Sequence, residues 1–259
     1  MTVSSCGSKP LINTLTKRTV RHGLLSLFFS VALLNTAVAQ QRISMNITTR
    51  QAYKGKMLRM ERELYYNSNG TVVVHYTRPE EYYVTSNKVG ELSVYQPKVG
   101  EVMMMYDKEA INQMETFMFF LTGDCSDLNL TKLGFIRKGS KKENGRLVTT
   151  YEPTSLEDKH FSKVVVVTEN RRPIYSAFYD TGGKVVKKCY YAQYQEYALV
   201  TFPTKITQIS YGDAGDSIVR REEYTNIKTS DFGSNALFNY TIPANARRVD
   251  PFKSSKGSL

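Results

Sequence analysis

The sequence predicts a mainly β fold with a helical lid, an α+β arrangement in which one strongly curved antiparallel sheet or barrel is covered on its open side by short helices. Three observations carry this. Short runs with two-residue alternation recur along most of the chain after residue 55, separated by explicit turn residues. One long apolar stretch, Glu101–Leu121 (EVMMMYDKEAINQMETFMFFL), changes after Tyr106 to helical spacing, with Ile111, Met114, Met118 and Leu121 at intervals of three and four. Finally, 18 tyrosines and 12 phenylalanines occur without tryptophan, an inventory suited to a sheet with a greasy but partly polar concavity.

Five of the nine methionines lie within Glu101–Leu121, and Phe117, Phe119 and Phe120 widen its apolar face nearly all round. Such a helix must be covered on most sides. It either fills the core of an α+β domain or acts as a movable lid, because methionine is unbranched and polarisable and adapts to varied apolar shapes.

At 259 residues and 41% hydrophobic content the chain is long enough to bury a sizeable core. A basic segment ending at Arg21 precedes the apolar run GLLSLFFSVALLNTAVA and the small residues Ala37-Val38-Ala39, which predicts an export signal over residues 1–39. An uncleaved anchor helix is the alternative. Cleavage before Gln40 places no cysteine at the new terminus, so the expected product is soluble and free of a lipid anchor, with one domain over 40–249 and a polar, mobile tail over 250–259. The leader holds Lys9, Lys17, Arg18 and Arg21 and no acid, so the formal charge of +11 falls to +11 − 4 = +7 without it. That excess is diffuse. It argues against nucleic acid and fits an anionic lipid surface or an acidic partner better.

Residues Gln40 to Gly55 carry Ile43, Ile47 and Ala52 at loosely helical spacing, which predicts a short first helix. KMLRMERELYY then alternates, with Leu58, Met60, Leu64 and Tyr66 on one face and Arg59, Glu61 and Glu63 on the other. Asn69-Gly70 supplies the positive φ of a tight hairpin into TVVVHYT. Arg78-Pro79 marks a strand end before EYYVTS, and two short strands follow around Pro97 and Gly100. One further helical turn, started by a side-chain cap, is expected over Ser126–Leu130. Six or seven more strands are expected in FIRKGS, RLVTTYE, KVVVVTE, PIYSAFYD, KVVKKCYYAQYQEYA, TKITQISYG and DSIVRREEYTNI, with turns at 143–145, 169–171, 181–183 and 213–216.

The chain contains no Gly-x-Ser-x-Gly elbow, phosphate-cradling loop, His-Glu-x-x-His or Cys-x-x-Cys, so no catalytic or cofactor role is assigned. His75 and His160 are isolated, and a zinc site is not expected. Glu61 and Glu63 share a strand face, but Arg59 and Arg62 are adjacent and a solvated, charge-balanced face explains them. Asp213 and Asp216 fit a hairpin turn without metal. Asn46, Asn69, Asn129 and Asn239 each begin an Asn-x-Ser/Thr triplet, a pattern common by chance. With Cys6 removed, Cys125 and Cys189 remain as an even pair for which both a disulfide and free thiols stay open.

The order of parts is more specific than any single motif. Export signal, paired strands, Arg-Pro before an aromatic strand (TRPEEYYV), LSVYQP, an apolar helix, and strands closing on LFNYTIP together resemble the periplasmic outer-membrane lipoprotein carrier family, LolA-like with LolB-like relatives, over about Lys56 to Val249. The resemblance implies an unclosed antiparallel barrel with helices over a cavity that holds acyl chains. It maps the family's functional arginine onto Arg78, with a role in biasing lid closure. The expected lipid-binding residues are Leu58, Met60, Val74, Tyr76, Tyr83, Met104, Ile111, Met114, Phe117, Met118 and Leu121. Tyr82, Tyr83, Phe117 and methionines stand where the family commonly has tryptophan, and the segment from Lys184 to Gly212 is longer than the simplest carriers need.

The implied function is a monomeric, non-enzymatic periplasmic carrier that receives acylated lipoproteins or other lipids from an inner-membrane donor complex and passes them to an outer-membrane acceptor. The alternative on the same fold is a lipid or lipoprotein sensor that signals to a membrane protein. Burying one long acyl chain contributes roughly 10 kcal/mol at about 0.8 kcal/mol per methylene, so a carrier must offset much of that gain to release its cargo.

Overall fold

The structure is a computed structural model. It describes residues 42–87, 89, 91–106, 120, 127–155, 161–197, 200–212, 215–229 and 235–250. The first meander comprises β1 (Arg42–Tyr53), β2 (Lys56–Asn67), β3 (Val72–Arg78), β4 (Tyr82–Ser86), β5 (Glu91–Gln96) and β6 (Glu101–Tyr106). The second comprises β7 (Phe135–Glu143), β8 (Arg146–Pro153), β9 (Lys163–Glu169), β10 (Arg172–Tyr179), β11 (Val185–Tyr197), β12 (Val200–Tyr211) and β13 (Ser217–Thr229), with a short β14 (Arg247–Val249) after it. All belong to one 14-stranded sheet in the order β14-β6-β5-β4-β3-β2-β1-β13-β12-β11-β10-β9-β8-β7.

The sheet is curved and unclosed, as expected. Its two meanders are joined where β1 pairs antiparallel with β13, and β14 extends one end by pairing parallel to β6. Consecutive strands β6 and β7 therefore fall near opposite ends of the series. Phe120, Leu128 and Leu130, which lie between these two strands in sequence, are buried in the core against one face of the sheet. Among the described residues the helical lid is not established, and its members Ile111, Met114, Phe117, Met118 and Leu121 lie outside them.

Residues 42–53 correct the expectation of a first helix. Ile43, Met45, Ile47 and Thr49 are buried in strict alternation, the period of a strand with one face inward. A spacing of four between Ile43 and Ile47 suits both periods, and Met45 decides between them. The turn over 127–130 also differs. Asp127 does cap it, its carboxylate accepting from the Asn129 and Thr131 backbone N–H groups at 2.9 and 3.3 Å. Leu128 and Asn129, however, take left-handed φ values of 53° and 58°, which a right-handed helix cannot continue.

The hairpins follow their turn chemistry. Asn144 and Gly145 between β7 and β8 have φ of 49° and 80°, the pair of positive angles that a two-residue reversal demands. Main-chain register then fixes which side chains share a face. One face carries the main core, and the other carries a smaller cluster of Tyr65, Val73 and Phe238.

That second cluster is built by the C-terminal segment. Asn235 accepts from the Leu237 N–H at 2.9 Å and starts a 3-10 turn over Ala236–Asn239. The turn drives Phe238 edge-on against Tyr65, at 5.2 Å between rings, while Asn67 Nδ2 donates to the Phe238 carbonyl at 2.9 Å. The Arg42 guanidinium lies 5.2 Å over the same ring. The LFNYTIP motif is thus an outer strap rather than part of the inner face.

Candidate functional site

The inner face of the first meander is apolar. Cross-strand pairing aligns Met45, Leu64, Val74, Val84, Val94 and Met103 in one row over β1 to β6. Val74 and Tyr76 are buried there, and Tyr76 stacks on Tyr82 at 4.1 Å. Met60 is half-buried on this face, whereas Leu58, near the β1–β2 turn, is 43% exposed.

Two expected lipid-binding residues belong to the opposite face. Met104 aligns with Tyr65, Val73, Thr85 and Ser93, and it is 46% exposed. Tyr83 is sandwiched between His75 and Tyr240, each ring centroid 4.3 Å away, in the outer cluster. A one-residue difference in strand position exchanges faces, so Met103 and Met105 are the inward methionines of β6.

Arg78 ends β3 opposite Glu61, with its Nε 3.8 Å from the Glu61 carboxylate and its side chain 60% exposed. Its expected lid partners lie outside the described residues. Cys189 is a buried free thiol on the inner face, pushed up in pKa by burial, and Cys125 lies outside the described residues.

The largest departure from the sequence reading is Arg62. It is not part of a solvated charge-balanced face: its side chain is 1% exposed and paired with Glu222, itself 3% exposed. Arg62 Nη2 donates to Glu222 Oε1 at 3.0 Å and its Nη1 to Thr49 Oγ1 at 2.6 Å. Arg220 donates to the same carboxylate oxygen, and the Tyr224 hydroxyl donates to Glu222 Oε2 at 2.5 Å. Burial pushes the Glu222 carboxyl up, but the Arg62 and Arg220 charges and these hydrogen bonds outweigh it and hold its pKa below the ordinary range. The signal was present in the sequence, since Arg62 has the parity of Leu64 and Tyr66, and Arg220 and Glu222 that of Tyr224.

Beyond this cluster the inner face of the second meander mixes polar and aromatic groups. Ser176 Oγ and Tyr191 OH are 3.1 Å apart in a buried pair. The Lys187 Nζ sits 4.0 Å from the Phe178 ring centroid and 5.3 Å from that of Phe161, and burial holds its ammonium pKa below the usual range. Phe202 packs at 5.7 Å from Phe120 and 5.0 Å from Tyr224, linking the β6–β7 connection to the sheet. Among the described residues no group of three or more His, Cys, Asp or Glu is placed to hold a metal, and no helix is long and apolar enough to cross a membrane.

No protein-family model and no curated protein matches the chain. Solved structures do resemble it. A LolA superfamily protein from Nitrosomonas europaea is 17% identical, with a TM-score of 0.52 over 76% of this chain and 89% of that one. A DUF1329 family protein from Desulfovibrio piger is 16% identical, with a TM-score of 0.53 over 83% and 96%. A domain described as a candidate outer membrane lipoprotein-sorting protein from Vibrio parahaemolyticus is 14% identical, with a TM-score of 0.51 over 78% and 91%. Through these similarities and the unclosed sheet, the chain is shown to carry a LolA-like fold.

Proposed function

We propose that this protein is a periplasmic carrier that takes the acyl chains of lipoproteins, or of another lipid, onto its inner face and delivers them towards the outer membrane. The observation that carries the reading is the apolar inner row from Met45 to Met103 on an unclosed sheet, facing a connection that contributes Phe120, Leu128 and Leu130. An acyl chain is a long, flexible, non-directional ligand, and a continuous apolar surface with an adaptable methionine border suits it. Met105 on β6 and Leu147 on β8, each one strand in from an end of the sheet, leave apolar surface of this face exposed, 38% and 42% of each. The signal over residues 1–39, cut after Ala39, delivers the product to the periplasm, where an inner-membrane donor loads it and an outer-membrane acceptor unloads it.

Native mass spectrometry of the mature protein, purified from the periplasm, tests this. Mass increments matching a lipid or an acylated polypeptide are expected, and they should disappear on incubation with acceptor membranes. Recovery of only cargo-free protein, together with failure to bind a fluorescent fatty acid, would count against the carrier.

Within this reading Arg78 acts on loading rather than on the fold. Its one described ion pair is exposed, and such pairs contribute about 0–1 kcal/mol. Arg78→Leu is therefore expected to unfold at nearly the wild-type denaturant midpoint while altering the rate at which cargo is loaded or released. Unchanged transfer kinetics would remove Arg78 from the mechanism.

A further inference from the structure

Among the described residues, the inner face of the second meander carries cations beside its apolar groups. Arg220, Gln208 and Cys189 form one cross-strand row over β13, β12 and β11, and Ile218, Ser210 and Lys187 form the next. Arg220 and Lys187 thus share this face with Glu222, which Arg62 also reaches from β2 of the first meander. Glu222 is already engaged, because Arg62, Arg220, Thr49 and Tyr224 all donate to it. Three of these donors converge on Oε1 and the Tyr224 hydroxyl on Oε2, so its charge is already shared between two guanidinium groups.

Lys187 is left with the faces of Phe178 and Phe161, and no carboxylate reaches it among the described residues. Arg220 keeps an unused donor too, since its Nε is buried without a hydrogen-bond partner among the described residues. A half-buried ammonium without a counter-charge costs stability, which selection tolerates where a ligand supplies the missing charge. The two cations lie two strands and two residues apart, about 12 Å between Cα atoms at the usual strand spacings. As they stand the Lys187 ammonium lies towards β10, over Phe178 and Phe161, and the Arg220 guanidinium towards Glu222. A change of rotamer at Lys187 brings its ammonium to a group held between them, beside Gln208 and Ser210, whose side chains are joined by a 3.0 Å hydrogen bond.

We propose that Lys187 and Arg220 form a subsite for the anionic head, a carboxylate or a phosphate, of an amphiphile whose chain lies along the apolar half of the inner face. This rests on the carrier reading and narrows its cargo to acidic amphiphiles, with the cations of one meander and the apolar row of the other serving the two ends of one molecule.

The test is calorimetric titration of the mature protein with two matched pairs: oleate against oleyl alcohol, and dioleoylphosphatidylglycerol against dioleoylglycerol, each in detergent below its critical concentration. A charge-assisted contact in a partly desolvated site is expected to favour the anionic member by about 10-fold to 100-fold. Preference within the oleate pair assigns a fatty acid, and preference within the glycerolipid pair assigns a phospholipid. Lys187→Met keeps the apolar stem and removes the charge. It is expected to abolish the preference, to leave binding of the uncharged member unchanged, and to raise the thermal midpoint of the unloaded protein. Lys187→Arg should retain the preference. Equal binding of charged and uncharged members, or a preference that survives Lys187→Met, overturns the subsite while leaving the carrier intact. Failure of all four compounds to bind overturns the carrier reading itself, and the subsite with it.

Discussion

Glu222→Ala is expected to lower the stability of the protein by about 3–5 kcal/mol, because it strands two guanidinium groups on the inner face without their counter-charge. In a chain of this size that corresponds to a fall of about 10 °C in the thermal midpoint. The loss belongs to the broken partnership rather than to the value of the cluster. Replacing Arg62, Arg220 and Glu222 together by Met, Met and Leu removes the buried charges and should recover most of it. A pH series adds a second check. Glu222 has a folded-state pKa below its ordinary value of 4.5, so its contribution is fully present above that value and disappears as the pH falls below it through the depressed folded pKa. The gap between wild type and Glu222→Ala should therefore be widest near neutrality and shrink in acid. A loss under about 1 kcal/mol, or a gap independent of pH, would show that the cluster does not hold the carboxylate ionised.

Phe120→Ala tests the link between the β6–β7 connection and the sheet. Phe120 is buried, with the rings of Tyr191, Tyr194 and Phe202 at 5.7, 6.3 and 5.7 Å. Removing such a ring from a packed core costs about 3–5 kcal/mol, comprising lost transfer energy and the cavity left behind. If apolar cargo occupies the same side of the sheet, saturating ligand should return part of the loss, about 2.7 kcal/mol at a free concentration 100 times the dissociation constant. Denaturant unfolding of both proteins, with and without oleate, reads both quantities. A change under about 1 kcal/mol would mean that the connection is not anchored through this ring.

The strands were legible in the sequence because their punctuation is local. Asn144-Gly145 names its own reversal, and the alternation in KVVVVTE or DSIVRREEYTNI needs no partner to be read. Facing was harder. Met103, Met104 and Met105 form a run without alternation, so only pairing to Val94, Ser93 and Leu92 decides which of them turn inward. Arg62 was misread for a different reason. Charge suggested solvent, whereas parity with Leu64 pointed to the core, and the deciding partner Glu222 lies 160 residues away in sequence. EYYVTS offers two adjacent tyrosines that must point to opposite sides, and only pairing to Tyr76 and His75 shows that Tyr82 is the inward one and Tyr83 the outward one. Ionic partners and faces are properties of tertiary pairing, and a single chain read in order supplies only their parity.

The unclosed order of strands has a mechanical consequence. In a closed barrel the strand number and shear together fix the radius, and swelling would break hydrogen bonds. Here β14 and β7 end the series, so the coil can widen by small increments of twist at each pairing with every ladder intact. Girth then becomes a soft variable of the molecule, able to follow the bulk of its contents without partial unfolding.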